Sequence, residues 1–229
     1  MYMKTNLLPL AAVCAALVAT GAAWALPADE IASRICAGVA ETKAGYNGFR
    51  VDVVQITTDA DGKEMSRVTG RLFFSKPDET RFEVTSYVEG GQKKEIPKDE
   101  GGKKKTDDFE LKTPFEREYC GDYRFTLEGE EEVTGVGCYK VGFAAPGHGK
   151  GYVYGTAWVA QDDFGLIKTS GKPYVQPEHC SASAMTTYYR AAGGKTMPYK
   201  QVIYVKASFL KVINKEMWFT SYFTDYRFD

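Results

Sequence analysis

The sequence predicts a mainly β protein of the α+β class whose strands pair antiparallel. Tyrosine and phenylalanine are abundant, 15 and 13 of 229 residues, and with many β-branched residues they suit a pleated, half-buried surface. Short alternating runs recur between clusters of turn-forming residues. Before the first of them, one stretch shows the fourfold apolar spacing of a helix.

Residues 1–25 come first and read as a cleaved signal peptide. Lys4 gives a short positive start, residues 7–18 are almost unbroken apolar sequence, and Ala23 and Ala25 flank Trp24 at a cleavage pattern. The apolar run is shorter than the roughly twenty residues a membrane-spanning helix needs. Cys14 lies inside the run, but Ala11, Ala12 and Val13 before it do not make a lipoprotein cleavage pattern. Export to the periplasm is therefore expected. The remaining residues, 26–229, are enough for one large β domain.

A helix is expected over Pro27–Thr42, N-capped by Asp29, with Ile31, Ile35 and Val39 on one face. Strand periodicity then takes over. Segments 49–57, 67–74 and 80–88 alternate, with turn chemistry at 59–62 and a break at Pro77 and Asp78; together they predict a meander. Residues 89–108 contain six lysines, six acids and almost nothing apolar, which predicts a solvated charged loop. A short second helix, interrupted by Pro114, is expected over 109–118. Further strands follow at 123–133, 136–143, 152–159, 165–170, 182–190, 197–207 and 216–227. Thr134-Gly135 marks a tight hairpin. The last strand carries Trp218, Tyr222 and Tyr226 on one face and Met217, Phe219 and Phe223 on the other. An antiparallel strand with one wet face should alternate apolar and polar, so both faces of this one need apolar cover.

Charge and motif content exclude several functions. Without Lys4, 28 basic residues face 30 acidic ones, a balance of −2 that does not attract nucleic acid. Four cysteines follow the leader, Cys36, Cys120, Cys138 and Cys180. An even count in an exported chain predicts two disulfides, with three possible pairings. His148 and His179 are the two histidines, and His179 beside Cys180 is at most half of a metal site. Residues 147–150 lack the glycine spacing and the hydroxyl residue of a phosphate loop. Neither a nucleophile elbow nor a dinucleotide fingerprint is present. Asp162 and Asp163 occupy a turn, where aspartate is expected for backbone reasons; a dispersed acidic enzyme site built on them is the weakest of the functional readings. No cofactor is expected, and the sequence reads as that of a non-enzymatic binding protein.

Several segments, taken in order, resemble the outer-membrane lipoprotein carrier (LolA-like) family. They are GRLFFSKP at 70–77 followed by Arg81, FTLEGEEEVTGVGCY at 125–139, GTAWVAQDDF at 155–164 with Ile167 and GKP at 171–173, Met197-Pro198, and FTDY at 223–226. The resemblance implies an incomplete antiparallel β-barrel, a strongly curved sheet with helices covering its concave side and an apolar interior that accepts acyl chains. On that reading Leu72, Phe74, Phe82, Trp158, Phe209 and Trp218 line the cavity. Lys76 stands at its rim, where the carrier has arginine. The implied partners are lipid or lipoprotein acyl chains, with inner- or outer-membrane proteins as further partners. The implied role is a periplasmic carrier or chaperone. An envelope-stress sensor that binds lipid or misfolded envelope protein and signals to a membrane partner is the alternative.

Overall fold

The computed structural model describes residues 26–76, 79–96, 111–147, 149–209 and 213–229, without the side chains at 209, 213 and 214. The predicted signal peptide and most of the charged loop, from 97 onward, lie outside the described residues. The helix α1 runs from Ala28 to Ala44. Eleven strands follow: β1 Gly48–Thr58, β2 Glu64–Ser75, β3 Glu79–Glu89, β4 Gln92–Lys94, β5 Arg124–Val133, β6 Val136–Ala144, β7 Val153–Ala160, β8 Leu166–Pro173, β9 Cys180–Ala192, β10 Lys195–Phe209 and β11 Ile213–Phe228. Ten match the predicted strands; β4, inside the charged segment, is the addition.

All eleven strands form one open antiparallel sheet in the order β4-β3-β2-β1-β11-β10-β9-β8-β7-β6-β5. It consists of two meanders, β1 to β4 and β5 to β11, joined where the first strand pairs with the last. The sheet does not close, and its edges are blunted against association. At one end β4 is three exposed residues long. At the other, β5 carries Glu128, Glu130, Glu131 and Glu132 in exposed positions.

Asp29 does not cap α1. Pro27 is the flanking extended residue, so Asp29 and Glu30 fall in the first turn, where negative charge favours the helix dipole. The predicted apolar face is kept but unevenly buried. Ile31 and Ile35 are 0% and 1% exposed, and they pack with Phe115, Tyr123, Val141, Phe143, Val153 and Leu166. Val39, one turn further on, is only half-buried. Thus the N-terminal half of α1 seals the β5–β8 side of the inner face, and its C-terminal half stands over open space.

The expected second helix is replaced by turns over 113–119 and one 3-10 turn at Cys120–Asp122. Pro114 lacks the amide proton a helix interior requires. Instead, this segment is held by Cys36–Cys120, bonded across a sequence separation of 84, and by the Tyr123 hydroxyl donating to the Lys112 carbonyl. The second predicted disulfide is absent: Cys138 and Cys180 are free thiols. They belong to β6 and β9, three strand spacings or about 14 Å apart across the sheet, beyond the reach of a cystine.

The last strand corrects its predicted faces. Val53 pairs with Phe223 and Phe49 with Phe228, with a register shift in between, and Asp225 has φ 56°. This bulge turns Tyr226 and Phe228 onto the inner face. There they join Tyr46, Phe49 and Phe74 in an aromatic cluster with ring centroids 5.3–6.3 Å apart. Trp218 and Tyr222 stay on the outer face, where a row of directly paired residues alternates aromatic and cationic. Trp158, Lys168, Tyr188, Lys200 and Tyr222 face one another across β7 to β11, with ammonium-to-ring distances of 4.0, 5.8, 5.5 and 5.7 Å. Long aliphatic stems and rings thus cover the outer face without a second sheet.

Candidate functional site

A cavity of about 890 Å³ lies between the C-terminal half of α1, the 111–116 segment and the inner faces of β1 and β6–β10. Its volume is in the upper range for ligand sites. Roof positions are Ile35, Gly38, Val39 and Thr42; Leu111, Pro114 and Phe115 form one wall; Met185, Met197, Ile203 and Val205 stand on the floor. The sequence places glycine in mid-helix at position 38, where it costs about 1 kcal/mol relative to alanine. A Cβ built there meets nothing within 4 Å, so the glycine keeps the roof thin.

Charge is confined to the rim. Lys43 pairs with Glu116 at 3.0 Å, linking the roof to the wall, and the Arg34 guanidinium lies 4.5 Å from the centre of the Phe164 ring. Lys76, expected at the rim, is not among the cavity-lining residues; it donates to the Lys43 carbonyl at 2.5 Å and lies 5.2 Å from the Tyr46 ring centre. It therefore caps the C-terminus of α1, where a cation is favoured. Deeper inside, the Tyr189 hydroxyl lies 3.4 Å from Thr169 Oγ1, and burial raises its pKa above the usual phenol value. Among the described residues no group of His, Cys, Asp and Glu is arranged to hold a metal ion.

Most of the binding residues expected from sequence lie elsewhere. None of Leu72, Phe74, Phe82, Trp158 and Trp218 is among the cavity-lining residues. Leu72 and Phe74 lie on the same inner face, paired with Val51 and Phe49, and Phe82 pairs with Leu72. These three extend the inner surface beyond the cavity onto the β2–β3 wing. A Cβ on Gly70 would stand 2.7 Å from the Phe82 ring, so the glycine of the GRLFFSKP segment seats that ring. Phe82 remains 39% exposed.

Trp158 and Trp218 are on the outer face. Trp158 packs with Val133 and Cys138 and donates from Nε1 to Glu131 at 2.9 Å, while Trp218 packs against Tyr204 with the ring planes tilted by 45°. Phe209 ends β10, and its side chain lies outside the described part. The residues that build the cavity and were missed, Gly38, Phe49, Phe115, Tyr189 and Gln201, carry no motif. Only the mid-helix glycine leaves a sequence signal.

The architecture is that of an open half-barrel holding a helix against its inner face. No family model and no curated protein matches the sequence. Solved structures similar to this chain include the family that the sequence resembles. One is a LolA superfamily protein from Nitrosomonas europaea, 14% identical, with a TM-score of 0.42 over 90% of this chain and 94% of that one. Another is a DUF1329 family protein from Desulfovibrio piger, 11% identical, TM-score 0.46, covering 89% and 93%. A third is a putative outer membrane lipoprotein-sorting protein domain from Vibrio parahaemolyticus, 12% identical, TM-score 0.43, covering 86% and 93%. Functional assignment therefore rests on the cavity itself.

Proposed function

We propose that this protein is a non-enzymatic periplasmic carrier that holds the acyl chains of a lipid or lipoprotein in the half-barrel cavity. The observation that carries the reading is the 890 Å³ space itself, apolar at its roof and walls and charged at its rim. An acyl chain needs that arrangement: burying about ten methylenes gains roughly 8 kcal/mol, before the cost of association. No covalent chemistry is required to load or release such a cargo.

The inner-face residues Leu72, Phe74 and Phe82 give a second apolar surface on which a longer or branched chain rests after leaving the cavity. Lys76 and Lys43 at the α1 terminus offer positive charge for an anionic headgroup. The test is extraction of the purified protein with organic solvent and mass spectrometry, together with uptake of a fluorescent fatty acid. A co-purifying lipid and saturable uptake are expected. An empty extract with no uptake refutes the reading.

A further inference from the structure

The cavity floor is not uniformly apolar. Thr169 of β8 pairs with Thr187 of β9, Thr187 with Gln201 of β10, Gln201 with Ser221 of β11, and Ser221 with Gln55 of β1. Five successive strands therefore place a polar residue in one row on the inner face. The rows on either side are mainly apolar, with Thr57 of β1 beside Phe219 and the Tyr189 hydroxyl as their polar members. Met185, Ile203 and Phe219 face one another on one side. Tyr189 and Pro198, then Phe223 and Val53, occupy the other. Thr169, Thr187 and Gln201 of this belt line the cavity, and buried Ser221 and Gln55 continue it beyond the cavity toward the β1 side.

The belt is only partly satisfied by itself. Gln201 Nε2 donates to Thr187 Oγ1 at 3.4 Å and to the Met185 sulfur at 3.3 Å. Gln55 Nε2 donates to Ser221 Oγ at 3.4 Å. The two bonds to hydroxyl oxygens are long and weaker than a well-formed pair, and a thioether sulfur is a weak acceptor. Among the described residues the Gln201 side-chain oxygen Oε1 takes part in neither of these bonds, and no buried side-chain oxygen or nitrogen lacks a partner. That oxygen is therefore reached from the cavity. A plain alkyl chain laid across it strips its water and returns nothing. A hydroxyl or amide N–H at the same depth donates to it, and a hydroxyl also accepts.

We infer that the belt selects acyl ligands carrying a hydrogen-bond donor within their apolar length, namely hydroxylated or amide-linked chains rather than simple alkyl chains. This rests on the acyl-binding reading and adds the ligand class to it. The test displaces a bound fluorescent fatty acid from the delipidated full chain. Competitors are stearic acid and hydroxystearic acids with the hydroxyl near the carboxylate, midway or near the methyl end.

One positional isomer, the one whose hydroxyl reaches Gln201, should bind about tenfold more tightly than stearic acid, the worth of one restored hydrogen bond. In the double variant Gln201→Leu, Thr187→Val that preference should vanish, with stearic acid bound more tightly than by the unaltered chain because its methylenes no longer cover an unpaired amide oxygen. Equal binding of all four acids by the unaltered chain overturns the inference and leaves the acyl reading standing. So does a preference that persists in the variant. Failure of every acid to displace the probe overturns the acyl reading as well.

Discussion

At the scale of single residues, position 38 offers the sharpest separation of folding from binding. Gly38 pays a helix-propensity cost in a place where a side chain would meet only the cavity. Gly38→Ala should therefore raise stability by about 0.5–1 kcal/mol, visible as a higher melting temperature. Gly38→Phe should leave the far-ultraviolet dichroism intact but cut fluorescent fatty acid uptake severalfold, because the ring takes the ligand's volume. Uptake by Gly38→Phe equal to that of the unaltered chain would rule out this space as the binding site. A second residue-level expectation concerns alkali. Burial raises the phenol pKa values of Tyr226, Tyr189 and Tyr123 above the ordinary phenol value of about 10. A raised folded value means the unfolded chain ionises first, so their contribution is fully present below pH 10 and is lost as pH rises above it. Denaturant midpoints should stay level as pH approaches 10 and fall beyond it. Replacing Tyr226 by phenylalanine should flatten that fall, at the cost of its 2.7 Å hydrogen bond to the Pro198 carbonyl.

At the scale of elements, the wall of the cavity depends on one covalent tie. Cys36 on α1 and Cys120 after the wall segment enclose a loop whose cross-linking is worth about 4–5 kcal/mol in the chain-entropy account, and Lys43–Glu116 is the second link between the same two elements. Reduction should release bound fatty acid and lower the melting temperature. Cys36→Ser should do the same without reductant. If ligand release is unaffected by reduction, the wall is held by packing alone. Free-thiol titration should find two thiols in residues 26–229, with buried Cys138 reacting only after denaturation. Sequence alone shows why the strands and turns were legible and their partners were not. Strand-forming runs between turn residues mark every strand except β4, and Thr134-Gly135 forms its hairpin as expected, because strand composition and turn chemistry are local. Cystine pairing is not local: an even cysteine count says nothing about the three strand spacings between Cys138 and Cys180. The face of Tyr226 was equally hidden, since a single bulge at Asp225 reverses it.

At the scale of the whole molecule, the decisive fact is that among the described residues the two meanders pair with each other only through β1 and β11. The cavity residues come from 34 to 205 in the chain, so register across seven neighbouring strands, β1 and β6–β11, decides which side chains share it. That explains why the LolA-like resemblance led to the half-barrel while the bulky aromatics chosen from sequence spread over both faces. Size and apolarity mark a residue as buried somewhere; they do not say which face of a curved sheet buries it. The seam itself is packed by Tyr46, Phe49, Phe74, Tyr226 and Phe228, with Phe49 stacked on Phe74 at 5.3 Å. Because this cluster joins the β1–β4 wing to the strands under the cavity, Phe49→Ala should cost about 2 kcal/mol, below the usual range for a fully buried phenylalanine because Phe49 is only half-buried. The loss should appear unevenly. Hydrogen exchange in the unaltered chain should open β2 and β10 with similar free energies, as one cooperative unit. In Phe49→Ala the β2 amides should exchange much faster than those of β6 and β7, since only the wing loses its anchor. Equal acceleration everywhere would mean that the seam is no weaker than the rest of the sheet, and that the wing does not move independently of the strands that form the cavity floor.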